Sequence, residues 1–108
     1  MRYCLALILL GISLCPLAQD YNYSLYTKVV PVVTVEGRRI ARGMTHDDFV
    51  ATVGFPPLST TSEPDPMVRG SLHVFKRFRE GGQQFLVEFK RDELSGPYRV
   101  FRIRLPGG

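Results

Sequence analysis

The stretch GMTHDDFVATVG, residues 43–54, predicts one short helix that is marked at both ends. Thr45 is the expected N-cap, because its hydroxyl can accept a hydrogen bond from a first-turn amide, and Asp48 stands at the spacing of a capping box. Gly54 is expected to end the helix in the left-handed conformation. Pro56 follows and forbids continuation of the helix.

The residues around the cap also predict how the chain enters the helix. Gly43 precedes Met44, and Met44 and Phe49 occupy the two positions of a hydrophobic staple, which sets the entry angle. Phe49, Val50 and Val53 are expected to form the apolar face. A helix of about 8 to 9 residues is too short to persist in water, so it must pack on another element.

Three strands are predicted after the helix. They cover Ser71 to Arg79, Gln83 to Arg91 and Tyr98 to Leu105, and the turn Glu80-Gly81-Gly82 joins the first two. On one face of each strand apolar residues recur at every second position, apart from Lys76 in the first strand, and this period is typical of half-buried antiparallel strands. The sequence therefore predicts an α+β domain in which one short capped helix packs on a three-stranded antiparallel meander, in two layers.

The segments flanking the helix give weaker patterns. Val29 to Val35 is rich in β-branched residues, which favour extended backbone, but Pro31 cannot donate to a sheet ladder and confines the segment to an edge. An extra N-terminal edge strand and an extended tether both fit this pattern. Residues 19–39 are interpreted as a flexible or extended entry segment and residues 40–106 as the domain. Residues 56–70 hold four prolines among polar residues and predict a surface loop.

The first 18 residues predict export. One positive charge, an apolar stretch and small residues precede the first acid, Asp20, which is the order of a signal peptide. Residues 1–18 are accordingly predicted to be a signal peptide that is cut after Ala18. Lipidation at Cys15 is the alternative form of export. Cys4 also lies in this segment, so the remainder of the chain cannot form an internal disulfide.

Composition and residue types exclude several function classes. The formal net charge is +4, which is mildly basic and is not typical of a nucleic-acid-binding domain, so no nucleic-acid partner is expected. His46 and His73 lie far apart in the sequence, and no cysteine has metal-ligand spacing, so neither a metal site nor a cofactor is predicted. No serine, threonine or cysteine has the context of an activated nucleophile. The chain is therefore predicted not to be an enzyme.

The solvent-facing side of the predicted meander is the candidate binding surface. With strict alternation, an apolar centre and a basic rim share this side, which is the composition of a docking surface. Two alternatives are that Val29 to Val35 folds over this side, or that the arginines only interact with solvent. The candidate binding residues are Phe75, Arg77, Leu86, Val100, Arg102 and Arg104.

The helix motif also carries a family resemblance. Gly43-Met44-Thr45, then Val50, Gly54 and Pro56, are followed by a loop, an aromatic strand and a strand ending in Phe89. Over about residues 40 to 105 this pattern resembles the SmpA/OmlA family of small outer-membrane lipoproteins. Members of that family are non-enzymatic, and a similar helix-plus-sheet unit builds β-lactamase inhibitory proteins.

The resemblance implies a setting and a kind of partner. It implies a non-enzymatic, exported binding module of the bacterial cell envelope, in the periplasm or on the periplasmic face of the outer membrane, that supports outer-membrane assembly or integrity. The implied partner is an envelope protein, and an anionic membrane surface is a further candidate. The alternative function is a secreted or periplasmic inhibitor-type module that occludes a partner enzyme.

Overall fold

The computed structural model describes residues 20–107, which form a 3-10 helix, Asp20–Leu25, seven strands and the α-helix α1, His46–Val53. The predicted signal peptide, its cleavage after Ala18 and the lipidation alternative at Cys15 lie outside the described residues. The strands are β1 (Lys28–Val30), β2 (Val32–Val35), β3 (Arg38–Ala41), β4 (Ser59–Pro64), β5 (Leu72–Glu80), β6 (Gln83–Lys90) and β7 (Arg99–Leu105).

One five-stranded antiparallel sheet organises the fold. Its strand order is β1-β7-β6-β5-β4, and β2 and β3 form a separate antiparallel pair. The predicted α+β domain with a three-stranded meander is therefore wrong, because β5, β6 and β7 are only the centre of a larger sheet and the described residues hold far more strand than helix. Of the two edge strands, β4 was missed and β1 was left as one of two alternatives, because strand propensity depends on the neighbouring strand as much as on the residues themselves.

Strand β4 lies inside the stretch that was predicted as a surface loop. Its sequence, STTSEP, carries turn-forming residues and no apolar alternation, yet every residue pairs with β5, from Ser59 opposite Arg77 to Pro64 opposite Leu72. Polar side chains and a terminal proline are common on edge strands, where one row of backbone groups needs no partner. The loop prediction was wrong because an exposed edge strand and a loop share these residue types.

Pro31 divides the β-branched segment into two strands in different sheets. Before it, β1 pairs with β7 at the sheet edge, with Val29 opposite Arg104. After it, β2 turns back on β3 through Glu36 and Gly37, both of which have positive φ angles, as a two-residue hairpin turn requires. Residues 20–39, part of the predicted flexible or extended entry segment, therefore contain regular structure.

The helix prediction is confirmed at both caps. The Thr45 hydroxyl accepts a hydrogen bond of 3.2 Å from the amide of Asp48, and Gly54 has the left-handed φ of 75°. The Phe49 ring packs edge-on against Phe78 and Phe89, with centroids 5.3 and 5.0 Å away. These contacts place α1 on the face of the sheet that β2 and β3 also cover, where the main core lies.

The opposite face of the sheet is partly covered by the N-terminal residues 20–27, here called the strap. Tyr26 is buried against Phe75 and Leu86, and the Tyr23 ring stacks on Phe75 with centroids 5.1 Å apart. The end of the chain holds the strap, since the Gly107 amide donates to the Leu25 carbonyl at 3.0 Å. The sheet therefore has covering residues on both faces.

Candidate functional site

A β-bulge in β7 changes which residues face the strap side of the sheet. Glu88 pairs with Arg102, but the next residue, Phe89, pairs with Val100, so Phe101 is the extra residue. A bulge turns the residues beyond it to the other face. Val100 accordingly lies in the main core, 2% exposed, and the prediction that it shares a face with Arg102 is wrong.

The predicted apolar centre of the docking surface is instead the small core beneath the strap. Leu86 is fully buried and Phe75 is 9% exposed, both in contact with Tyr26. The strap therefore covers the face that the prediction left either open or covered by Val29 to Val35. Arg77 lies beside this core, and its Nε donates to the Ser59 hydroxyl of β4 at 3.2 Å.

The two remaining predicted residues, Arg102 and Arg104, surround a buried carboxylate. The Glu88 side chain is completely buried and accepts hydrogen bonds from Arg102 Nε at 2.8 Å, from Arg102 Nη2 at 3.0 Å and from Arg104 Nε at 2.7 Å. His73 Nε2 lies 2.8 Å from the same carboxylate. We call these four residues the Glu88 cluster. Arg102 and Arg104 are thus internal partners as well as surface cations.

The charges of the Glu88 cluster compensate the burial of its carboxylate. Burial alone would raise the pKa of Glu88, but the hydrogen bond from Arg102 and the positive charges of Arg104 and Arg102 outweigh it, so the pKa of Glu88 lies below its ordinary value. The same hydrogen bond raises the pKa of Arg102. Glu88 is therefore ionised at neutral pH, and the cluster carries a net positive charge.

The Phe101 ring lies next to this cluster and contacts two cationic groups and the His73 ring. Lys90 Nζ is 4.7 Å and Arg102 Cζ is 5.3 Å from its ring centroid, and the His73 ring meets it edge-on at 5.7 Å. Cations near the face of an aromatic ring are attracted by its quadrupole. The half-buried Phe101 ring thus lies near two cations, Lys90 and Arg102.

Asp65 completes the environment of Lys90. Its Oδ1 accepts from the Met67 amide at 2.8 Å and lies 3.4 Å from Lys90 Nζ. The hydrogen bond from the Met67 amide lowers the pKa of Asp65 most, and the charge of Lys90 lowers it further. Lys90 is therefore neutralised in part by a carboxylate of its own protein.

Two adjoining depressions flank Phe101. Both are lined by Phe101 and by Arg42. Their volumes are ≈ 330 and ≈ 290 Å³. Arg102 lines the first together with Val29 to Pro31. Lys90 and Arg99 line the second, together with one carboxylate, that of Asp92. We call this region the Phe101 surface; it comprises Arg42, Lys90, Arg99, Phe101 and Arg102.

Arg42 and Arg99 are the free cations of the Phe101 surface. Both side chains are exposed, and neither has a carboxylate partner within residues 20–107. Arg99 is oriented by a hydrogen bond of 3.1 Å from its Nη1 to the Gly43 carbonyl. A planar guanidinium can bind a carboxylate or phosphate through two parallel hydrogen bonds. The Phe101 surface can therefore hold an anionic group in a recess.

Sequence reasoning missed Arg42, Lys90, Arg99 and Phe101 as members of one surface. The adjacent apolar residues Val100 and Phe101 break the alternation of β7 and were the available signal of a bulge. No local signal places Arg42 there. It is brought to β7 by the turn after β3, where the Gly43 amide donates to the Val100 carbonyl at 2.8 Å.

The described part of the chain shows no metal-ligand cluster and no membrane-spanning helix beside this surface. Residues 20–107 contain no group of three or more His, Cys, Asp or Glu side chains placed to hold a metal ion. None of the helices in this range has the length and apolar character needed to cross a bilayer. The site is accordingly described by its cations, its aromatic ring and its shape.

No family model, curated protein or solved structure matches this chain. The SmpA/OmlA resemblance therefore stays a prediction, which rests on the helix motif and its caps.

Proposed function

We propose that this chain is a non-enzymatic, exported binding module of the bacterial cell envelope that holds an acidic segment of a partner protein on the Phe101 surface. Its suggested role is support of outer-membrane assembly or integrity. The envelope setting rests on the predicted signal peptide and on the family resemblance. The observation that carries the binding proposal is the pair Arg42 and Arg99. These two exposed guanidinium groups line recesses beside Phe101 and have no carboxylate partner in the described part of the chain.

The shape of the Phe101 surface favours a protein partner over a flat membrane. Its cations line depressions, and the Phe101 ring is half-buried beside them. Aspartate and glutamate side chains can enter such recesses and pair with a guanidinium fork. A flat membrane surface is bound better by cations and apolar side chains that project from a protein, because both must reach the head groups.

Charge at this surface should act mainly on recognition. Exposed cations at the rim of an interface steer an acidic partner and make the association rate depend on salt, while pairs that become desolvated slow its dissociation. Arg102 adds to the positive field, but Glu88 already occupies two of its donors. Specific pairing is therefore assigned to Arg42 and Arg99.

Site-specific photo-crosslinking in intact envelopes tests this proposal. A photoreactive residue in place of Val29, which is exposed and lines the first depression, should form a crosslink to one acidic protein. The same residue in place of Arg39, an exposed residue of β3, should not. The crosslinked protein is then purified, and its dissociation constant is measured for the wild type and for the double variant Arg42→Glu/Arg99→Glu. We expect the double variant to weaken binding by at least about tenfold.

A matched double variant controls for net charge. Arg39→Glu/Arg79→Glu changes the charge by the same amount at two other exposed arginines and should leave the dissociation constant unchanged. Equal weakening by both double variants would contradict the assignment of the site. Binding to vesicles of anionic lipid that depends on Arg42 and Arg99, without any protein crosslink, would replace the protein partner by a membrane.

A further inference from the structure

A third depression, of ≈ 400 Å³, lies where α1 and the loop after it meet the sheet. Its walls are mainly apolar and aromatic, and we call it the α1 groove. Val50, which was predicted to belong to the buried face of α1, also lines it and remains 52% exposed. Volume and lining are those of a small-molecule site, in which apolar walls surround a few polar groups. The groove is lined by Phe49, Val53, Phe55, Pro57, Lys76 and Phe78.

Among the described residues, Lys76 is the single cation that lines the α1 groove. It occupies the position that interrupts the apolar row of β5, opposite Val87 of β6, and it is half-buried. Within residues 20–107 it has no carboxylate partner. A partly desolvated ammonium without a counterion is costly, so a ligand that brought a negative charge to it would be favoured.

The neighbour of Lys76 is a histidine that does not neutralise it. Lys76 Nζ lies 3.0 Å from His46 Nε2. Burial, and then the charge of Lys76, lower the pKa of His46, so the imidazole is neutral at pH 7 and accepts a hydrogen bond from the ammonium. An ammonium has three N–H donors. Lys76 therefore keeps donors for a further acceptor.

We propose that the α1 groove binds an apolar monocarboxylate of the medium-chain fatty acid type. Its carboxylate accepts hydrogen bonds from Lys76 Nζ, and its chain packs against Phe55 and Phe78. This site lies apart from the Phe101 surface, and the inference stands independently of the protein partner proposed there. A bound carboxylate would also explain why a lysine, Lys76, lies on the face of the sheet that α1 covers.

A ligand titration of the full folded protein tests this inference without any variant. Decanoate and decanol, each below its aggregation concentration, are added to isotopically labelled protein, and backbone amide shifts are followed by NMR. We expect saturable shifts that centre on Val53, Phe55, Lys76 and Phe78, with decanoate bound at least about tenfold more tightly than decanol. Equal affinities, or shifts centred elsewhere, would overturn the proposal.

Two lysine variants locate the charge. Lys76→Met keeps most of the aliphatic side chain and should reduce decanoate affinity to that of decanol, while decanol binding stays unchanged. Lys28→Met removes an exposed charge outside the groove and should alter neither affinity. Undiminished decanoate binding by Lys76→Met would refute the role of the ammonium. Failure of that variant to fold would leave the decanoate and decanol comparison on the wild type as the deciding measurement.

Discussion

On one face of β6, Phe85, Val87 and Phe89 pack against the main core, whereas on the other face Glu88 lies among two arginines and His73. All of these β6 side chains are buried, but they are stabilised differently. Apolar packing loses stability in proportion to the atoms that are removed. An ion cluster instead depends on every member, because loss of one leaves the others desolvated and unpaired.

The largest expected effect is on the apolar face. Phe89→Ala should cost about 3 to 5 kcal/mol of unfolding free energy, because Phe89 is 1% exposed and its ring contacts Phe49 and His46. Urea unfolding measures the loss. Leu94→Ala, at a residue that is 53% exposed, is the control and should stay within about 0.5 kcal/mol of the wild type. A negligible loss for Phe89→Ala would contradict the register of β6.

A smaller loss is expected on the ionic face. Glu88→Gln should cost about 2 to 3 kcal/mol, below the usual range for a broken buried pair, because the Arg102 and Arg104 side chains are 40% and 21% exposed and can recover hydration. The same urea unfolding applies. Glu63→Gln, on the exposed edge strand, is the matched control. A Glu88→Gln protein as stable as the wild type would show that the cluster contributes no net stability.

Low pH should weaken the interactions on the Glu88 face of β6 but not those on its apolar face. Since the pKa of Glu88 is lowered by folding, its ionised form contributes stability that is complete above the ordinary carboxyl pKa of 4.5 and is lost as pH falls through the lower value in the folded state. Asp65 acts in the same direction. Below pH 4.5 the wild type should therefore lose more stability than Glu88→Gln. Parallel curves of unfolding free energy against pH for the two proteins would argue against this cause.

The smallest expected effect concerns the helix that covers the apolar face. Thr45→Ala should cost about 1 kcal/mol, because the amide of Asp48 loses its hydrogen bond to the Thr45 hydroxyl. Thermal unfolding measures it, and Thr45→Ser should restore the cap. The acid transition should be unchanged in both variants, as the cap is remote from Glu88. If Thr45→Ser lost as much stability as Thr45→Ala, the methyl group of Thr45 and not its hydroxyl would be the cause.

The features that sequence reasoning predicted correctly are those that depend on near neighbours. The caps at Thr45 and Gly54 involve residues within one or two turns, and the alternation of Phe85, Val87 and Phe89 correctly predicts that these three side chains share one face of a strand. The candidate site was predicted less well. Arg102 and Arg104 do share a face, but Val100 lies on the other, because one extra residue in β7 reverses the alternation.

The sequence by itself determined where α1 begins and ends and where the turn at Gly81-Gly82 joins β5 to β6. Each follows from backbone hydrogen bonding and steric limits within a few residues. Only the tertiary structure decided the pairing of β1 and β4, the strap over Leu86, the partners of Glu88 and the meeting of Arg42 with Phe101. Those arrangements join residues far apart in the chain, where the partner that satisfies a backbone group or a buried charge is known only once the sheet has formed.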